Sequence, residues 1–409
     1  MPDIAILNVV LHGRTIGTIA RLPGDKNLFS FTQDYSDDLE RPVLSLSFKD
    51  AHGGLITDVS ATQTRLPPFF SNLLPEGRMR EYLASRGDVN PVREFFLLWL
   101  LGRDLPGGVE IHPADGESWP PEAAHEIEGT SSGRVKKNLL RFSLAGVQLK
   151  FSAVKEARGG LTIPAEGVGG HWIVKLPSMK FNDVPENEYA MMELARRIGI
   201  DVPETALVPI SAIANLPDGI EQAGDTAFII KRFDRTEEGR RIHIEDFAQV
   251  FGVYPEQKYK KASYGNIATV IWRETGEVGI IEFVRRLVFN SLIGNADMHL
   301  KNWSLVYPNG RHAVLAPAYD FVSTIAYIPD DELALSFAGS KKFEDLSVDA
   351  LRRFAARSKL PEKLVLDTGL ATVEAFASVW QAVDDLPLSS KIRAAIADHL
   401  KRIPLWAGR

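Results

Sequence analysis

Apolar and polar positions alternate with a short period at the start of the chain and with a helical period towards its end. Residues 4–22 alternate around His12-Gly13-Arg14, with Ile16, Ile19 and Leu22 apolar, and predict short strands joined by a turn. Phe29, Phe31 and Tyr35, then Val43, Leu44 and Leu46, extend the strand-like pattern. Residues 66–82 (LPPFFSNLLPEGRMREY) form an aromatic, proline-bearing patch entering a helix. PVREFFLLWLL (91–101) predicts an apolar helix opened by Pro91 in its first turn and closed by Gly102 and Pro106-Gly107-Gly108. Residues 1–115 thus read as a β-rich module with two helices. The polar stretch 116–137, rich in Pro, Ser, Gly and Glu, reads as a linker.

Strand patterns return over residues 138–235. RFSLAGVQLKFSA (141–153) predicts a strand, a turn near Gly146 and a second strand. HWIVKLPS follows Gly169-Gly170 and predicts a buried strand carrying Lys175. In ENEYAMMELARRIGI, Met191, Leu194, Ala195 and Ile198 fall at helical spacing, with Glu188 at the margin of that face. Residues 202–209 and 226–233 supply further strands. From about Ile242 the period is helical: IEDFAQVFG, 264–274, 281–292, 351–354, 364–380 and 392–400. Strands first and helices afterwards predict a two-lobed α+β unit, 138–235 and 236–409, behind the N-terminal module, its last lobe all-α apart from one hairpin.

The stretch Ile281–Ser304 carries the candidate chemistry. Phe283, Leu287, Val288, Ser291 and Leu292 mark the buried stripe of a helix that Gly294 and Asn295 end. Asp297, His299 and Asn302 follow as D-x-H-x-x-N, and protein kinases space a catalytic Asp and a metal-holding Asn in this way. Next, two apolar runs flank Pro308-Asn309-Gly310, a hairpin signal that would return Asp320 close to Asn302. Asp320-Phe321 is followed by Val322, where a kinase usually has Gly. An Asn and an Asp brought together suit Mg²⁺, which takes one or two carboxylates and keeps several waters. A strand lysine, Lys175, followed by a helix glutamate, Glu188, is the kinase arrangement for gripping phosphate. Each feature alone has a plainer reading: a chance polar loop, a structural histidine, an edge lysine reaching solvent. Their order, helix, polar loop, hairpin, Asp-Phe, favours phosphoryl transfer.

Composition narrows the setting. The 409 residues contain no cysteine, so neither a disulfide framework nor a thiolate metal site is available, and an intracellular, cytoplasmic home is expected. The first residues lack the pattern of a signal peptide, and no run of eighteen apolar residues suggests a membrane span. A net charge of -6 argues against free-standing nucleic-acid binding.

FFSNLLPEG (69–77), GRDLPGG (102–108), FSLAGVQLK (142–150), IVKLP (173–177), ENEY (186–189), KRFDR (231–235), IEDFAQVFG (244–252), GNADMHLKN (294–302) and YDF (319–321) together resemble the HipA family of bacterial serine/threonine kinase toxins. The resemblance implies a protein-kinase-like fold behind an N-terminal β-rich subdomain, and a small helix-turn-helix, HipB-like antitoxin, with DNA reached only through it. It implies Asp297 as the catalytic Asp, with His299 beside it, Asn302 and Asp320 as Mg²⁺ ligands, and Lys175 on the phosphates with Glu188 as its partner. ATP would also meet the phosphate loop (Ala145, Gly146, Val147, Gln148, Lys150), the hinge (Lys231, Phe233), and His299, Asn302 and Tyr319. Ser143 falls at the family's inhibitory autophosphorylation site, and a translation component such as an aminoacyl-tRNA synthetase is the implied substrate. Lys231 departs from the family, which often has an acidic residue there, and so does Ile244, where a polar one can occur. Ordinary protein kinases carry G-x-G-x-x-G, which is absent here; a lone Gly with Lys150 can still cradle phosphate through backbone N–H groups. Two other readings stay open: a small-molecule phosphotransferase, since antibiotic and choline kinases share the triplet, and a catalytically silent subunit of a repressor complex.

Overall fold

A two-residue turn at His12 and Gly13, with φ of 51° and 75°, closes the first hairpin, because such paired left-handed residues match the twist of the flanking strands. The computed structural model describes residues 5–114, 150–155, 161–162, 170–216 and 224–408. Strands β1 (Ile6–Leu11), β2 (Arg14–Leu22), β3 (Lys26–Phe31), β4 (Thr62–Gln63) and β5 (Val109–Pro113) form one antiparallel sheet in the order β4-β3-β2-β1-β5. Leu7, Val9 and Leu11 alternate inward along β1 and meet Phe29, Phe70 and Leu98 in a core of their own.

Helices α1 (Gln33–Asp37), α2 (Pro68–Asn72), α3 (Gly77–Arg86) and α4 (Glu94–Leu101) complete this module, two more than the sequence pattern predicts. Tyr35 lies in α1 rather than in a strand. Residues 43–46 form no strand either, because their backbone groups are engaged across a domain boundary. Val43 N–H donates to Gly310 at 2.8 Å, the Leu44 carbonyl accepts from His243 at 2.8 Å, and Leu46 N–H donates to Glu245 at 3.1 Å. The last long helix begins at Glu94, three residues beyond Pro91. The buried Glu94 carboxylate there accepts Leu66 N–H, Ser71 Oγ–H and the Arg80 guanidinium, which fixes the start of the helix.

The next lobe is a six-stranded sheet: β6 (Lys150–Lys155), β7 (Leu161–Thr162), β8 (Trp172–Lys175), β9 (Thr205–Pro209), β10 (Ile213–Ala214) and β11 (Thr226–Lys231), in the order β10-β7-β6-β8-β11-β9. Helix α5 (Val184–Arg197) buries Met191, Leu194 and Ala195 completely, as their spacing predicts. The linker 116–137, Ser143 and the phosphate-loop residues 145–148 lie outside the described residues.

The helical lobe also holds a small sheet. Its strands are β12 (His243–Asp246), β13 (Ser304–Tyr307) and β14 (Val314–Leu315), and the predicted hairpin supplies the last two. The IEDFAQVFG run, expected to be helical throughout, starts as β12. Only at Asp246 does it turn into α6 (Phe247–Val250), through a capping box with Gln249. Helix α7 (Tyr264–Leu292) changes direction at Gly276 (φ 66°, ψ -151°), which separates the two predicted segments. Helices α8 (Val348–Ser358), α9 (Glu362–Trp380) and α10 (Ser390–Leu400) pack around it. Among the described residues no helix is long and apolar enough to cross a membrane.

The N-terminal module is locked to both lobes. Asp104 pairs with Arg232 and Arg235, Gly107 N–H donates to Asp234 at 2.8 Å, and Gly107 lies so close that a Cβ would meet Ile244 N at 2.9 Å. The motifs 102–108 and 231–235 are thus two halves of one buried ionic joint.

Candidate active site

Helix α7 delivers the polar loop, and its end is built to turn sharply. Gly294 adopts φ 66°, and a Cβ there would lie 2.2 Å from Ile325 Cγ1, so only glycine fits. Its carbonyl accepts Thr324 N–H at 3.1 Å and Ile325 N–H at 3.2 Å, which ties the segment after Asp320 to the helix end.

Asn295, fully buried, is the hub of the loop. Its Nδ2 donates to Asn290 Oδ1 at 2.8 Å and to the Asp320 carbonyl at 3.1 Å, while its Oδ1 accepts Asp297 N–H at 3.1 Å. One side chain therefore sets the distance between the two acids. The Asp297 carbonyl accepts His299 N–H and Asn302 Nδ2, both at 2.8 Å, which closes the turn and orients the Asn302 amide. Tyr319 donates to the Lys301 carbonyl at 3.0 Å and shares a hydrogen bond with Ser304 Oγ at 2.5 Å, so the hairpin does return Asp320 to this loop.

Asp320 itself sits at φ 58°, a left-handed conformation that costs a non-glycine residue energy and recurs at functional sites. Lys175 is buried, and its ammonium is shared by Glu188 from α5 and by Asp320. Lys150 Nζ stands 3.4 Å from Asp320 as well. Burial opposes charge on Asp320, yet Lys150 and Lys175 outweigh it and hold the carboxyl well below the usual carboxylate range. Burial also opposes the charge of Lys175, and the two carboxylates outweigh it in turn, keeping the ammonium above its ordinary range.

Asp297 opens onto the cleft, yet the protein packed around it removes enough water to raise its pKa, and the nearby Asp320 charge adds to the rise. The Tyr259 hydroxyl donates to its Oδ1 at 2.5 Å and opposes the rise. His299 is buried edge-on against Tyr259, at 4.9 Å between ring centres. Burial and the neighbouring Lys258 charge push its pKa down to about 3, so the imidazole is neutral at physiological pH.

Lys150, Lys175, Glu188, Asp297 and Asp320 line one cavity of about 850 Å³, and Asn295 and Tyr259 line it with them. Phe233, expected in the hinge, lies against Tyr319 at 5.7 Å between ring centres. Lys231 turns away: its ammonium pairs with Glu237 at the surface, while its N–H bonds the Glu204 carbonyl at 2.8 Å. Sequence reasoning missed Asn295 and Tyr259 as site residues. Asn295 reads simply as a helix terminator, and its only distinguishing signal is an amide followed closely by an acid. Tyr259 sits in KYKK, which carries no periodicity at all.

Comparisons with known proteins place the family and the fold. The family model described as the HipA-like C-terminal domain matches residues 142–380, and the HipA N-terminal domain model matches residues 7–112. The Sinorhizobium fredii protein Y4dM, named as a candidate kinase, is 52% identical over 99% of this chain and 99% of its own. The serine/threonine-protein kinase toxin HipA of Shewanella oneidensis is 26% identical, over 85% of this chain and 83% of its own. The solved complex of Shewanella oneidensis HipA with HipB and operator DNA shares the fold, with a TM-score of 0.73 at 21% identity over 98% of this chain and 96% of that one.

Proposed function

The chain belongs to the HipA family, and from that premise and the cleft geometry we propose that it transfers the γ-phosphoryl group of ATP to a serine or threonine hydroxyl of a protein. The observation that carries this reading is the convergence on one cavity of a lysine–glutamate pair and two acids tied together by Asn295. Lys175 and Lys150 supply positive charge where the phosphates of ATP would lie. Asp297, its Oδ1 fixed by Tyr259, is left to orient the attacking hydroxyl through Oδ2 and to accept its proton. The new O–Pγ bond forms as the bond from Pγ to the β,γ-bridging oxygen breaks, and ADP carries the electron pair away. The ionised Asp320 carboxylate and the oriented Asn302 amide make a hard-oxygen set that fits Mg²⁺. When bound, that ion would offset the charge developing on the phosphates.

On this reading the protein is the cytoplasmic toxin of a toxin–antitoxin pair, partnered by a small helix-turn-helix protein through which it would meet DNA. The HipA of Shewanella oneidensis has been solved in a complex with HipB and operator DNA, which supports a partner of this kind. The substrate would be a translation component, and autophosphorylation of Ser143 would switch the enzyme off. Purified protein incubated with Mg²⁺ and labelled ATP, with and without cell lysate, tests this. Label should appear on a protein and on Ser143, and Asp297→Ala should lower the rate by ~10²–10⁴-fold. Label confined to small molecules, or an Asp297→Ala rate equal to wild type, would overturn the assignment.

A further inference from the structure

The N-terminal motif FFSNLLPEG plays no part in the chemistry above, yet two of its residues reach the catalytic loop. Its phenylalanines are sunk in the N-terminal core and Ser71 bonds Glu94 beside them, while Asn72 and Glu76 reach the helical lobe. The Asn72 side chain donates to the Val253 carbonyl at 2.8 Å, and the Asn72 carbonyl accepts Lys301 Nζ at 3.2 Å. The half-buried Glu76 carboxylate then takes two lysines at once, Lys301 on Oε1 at 2.7 Å and Lys258 on Oε2 at 2.8 Å.

Those two lysines flank the site. Lys301 lies in the tight turn between His299 and Asn302, directly before Asn302. Lys258 directly precedes Tyr259, whose hydroxyl fixes Asp297, and its carbonyl accepts Leu300 N–H at 3.4 Å. Both ammonium groups are mostly shielded from water, with side-chain exposures of 15% and 18%, so without an anion between them they would repel each other. Burial disfavours the Glu76 carboxylate, but the two lysines outweigh it and pull its pKa down to about 2.

We propose that Glu76 is a positioning residue of the N-terminal domain, holding the catalytic loop through Lys301 and the Tyr259 support of Asp297 through Lys258. The domain would then do more than sit beside the enzyme, because its carboxylate would complete the active geometry. This inference rests on the phosphotransfer reading, and its test separates the two.

Hydrogen–deuterium exchange is followed on the full-length chain for wild type, Glu76→Gln and Arg65→Met, and the same proteins are assayed with Mg²⁺ and ATP. Arg65 pairs with Glu256 across the same domain boundary and bonds neither Glu76 nor its two lysines, so its variant controls for loosened docking of that boundary. Amides of residues 297–303 should exchange about tenfold faster in Glu76→Gln and unchanged in Arg65→Met, and kcat should fall about tenfold or more with KM for ATP within twofold. Unchanged loop exchange in Glu76→Gln, equal acceleration in both variants, or an unaltered kcat would overturn the proposal. Should Glu76→Gln fail to fold, Lys301→Met breaks the same bridge from its other end and is read the same way. A wild-type protein that transfers no phosphate would sink the functional reading alone, and the exchange data would still decide the role of Glu76.

Discussion

At the scale of single residues, the site depends on amides as much as on acids. Asn295 uses both Nδ2 hydrogens and its oxygen, and every partner is a group of the candidate site or of the helix that carries it. Replacing it by alanine leaves Asn290 Oδ1, the Asp320 carbonyl and Asp297 N–H without their partner, at ~1–3 kcal/mol for each group that stays dry. More telling than the stability loss is the geometric one. A misplacement of about 1 Å between reacting groups can cost ~10²-fold in rate. Asn295→Ala should therefore lower kcat by roughly 10–100-fold with a folded protein still present, measured by steady-state kinetics beside a melting curve. A variant with wild-type kcat would show that Asp297 and Asp320 find their places without the hub.

At the scale of elements, strand β12 joins the N-terminal module to the helical lobe and brings buried titratable groups to that boundary. His243 is fully buried, its Nε2 donating to the Leu44 carbonyl, and burial pushes its pKa down to about 4. The unfolded chain would bind a proton at about 6.5, so the unfolded state holds more protons between these values and stability rises with pH there. The stability due to neutral His243 is complete above pH 6.5 and is lost as pH falls towards 4, on the order of 3 kcal/mol. Glu245, two residues on, runs the other way: burial lifts its pKa to about 7, so its charging costs stability as pH rises from 4.5. Comparing wild type with His243→Gln, which keeps a donor for Leu44, isolates the histidine. Urea melts at pH 7 and pH 4.5 should show a smaller acid loss in the variant. An equal loss in both proteins would exclude His243 as the acid-sensitive group.

At the scale of the whole molecule, three apolar cores among the described residues are held together by polar joints: Asp104, Arg232, Asp234 and Arg235 beside β11, Glu245 with Ser45 and Tyr307 at the small sheet, and Glu76 with two lysines beside the polar loop. Removing Asp104 would leave buried guanidinium charge short of a partner, which makes that joint costly to break. If the assembled molecule is a toxin that works by phosphoryl transfer, expressing the wild-type chain without a partner should arrest growth, and Asp297→Ala should relieve the arrest, as read from colony counts after induction. Arrest that persists with Asp297→Ala would point to a binding role in place of catalysis.

Local chemistry was readable along the chain wherever the chain itself imposes it. The stripes of α5 and α7, the hairpin at Asn309-Gly310, the left-handed ending at Gly294, and the order Lys175, Glu188, Asp297, Asn302, Asp320 all follow from spacing and residue type. Partner choice was not readable, because it is settled between segments far apart in sequence. Val43, Leu44 and Leu46 have a strand's pattern yet direct their hydrogen bonds to residues some two hundred positions away or more. Ile244 and Glu245 begin a run that looks helical, but β13 captures them first, and the Lys231 ammonium finds Glu237. Asn295, Tyr259 and Glu76 carry no periodic signature, since a side chain that joins three segments is defined by where those segments meet. Only the folded chain brings Tyr259 to Asp297, Asn295 to Asp320 and Glu76 to its two lysines, and partial burial there gives each hydrogen bond and charge its weight.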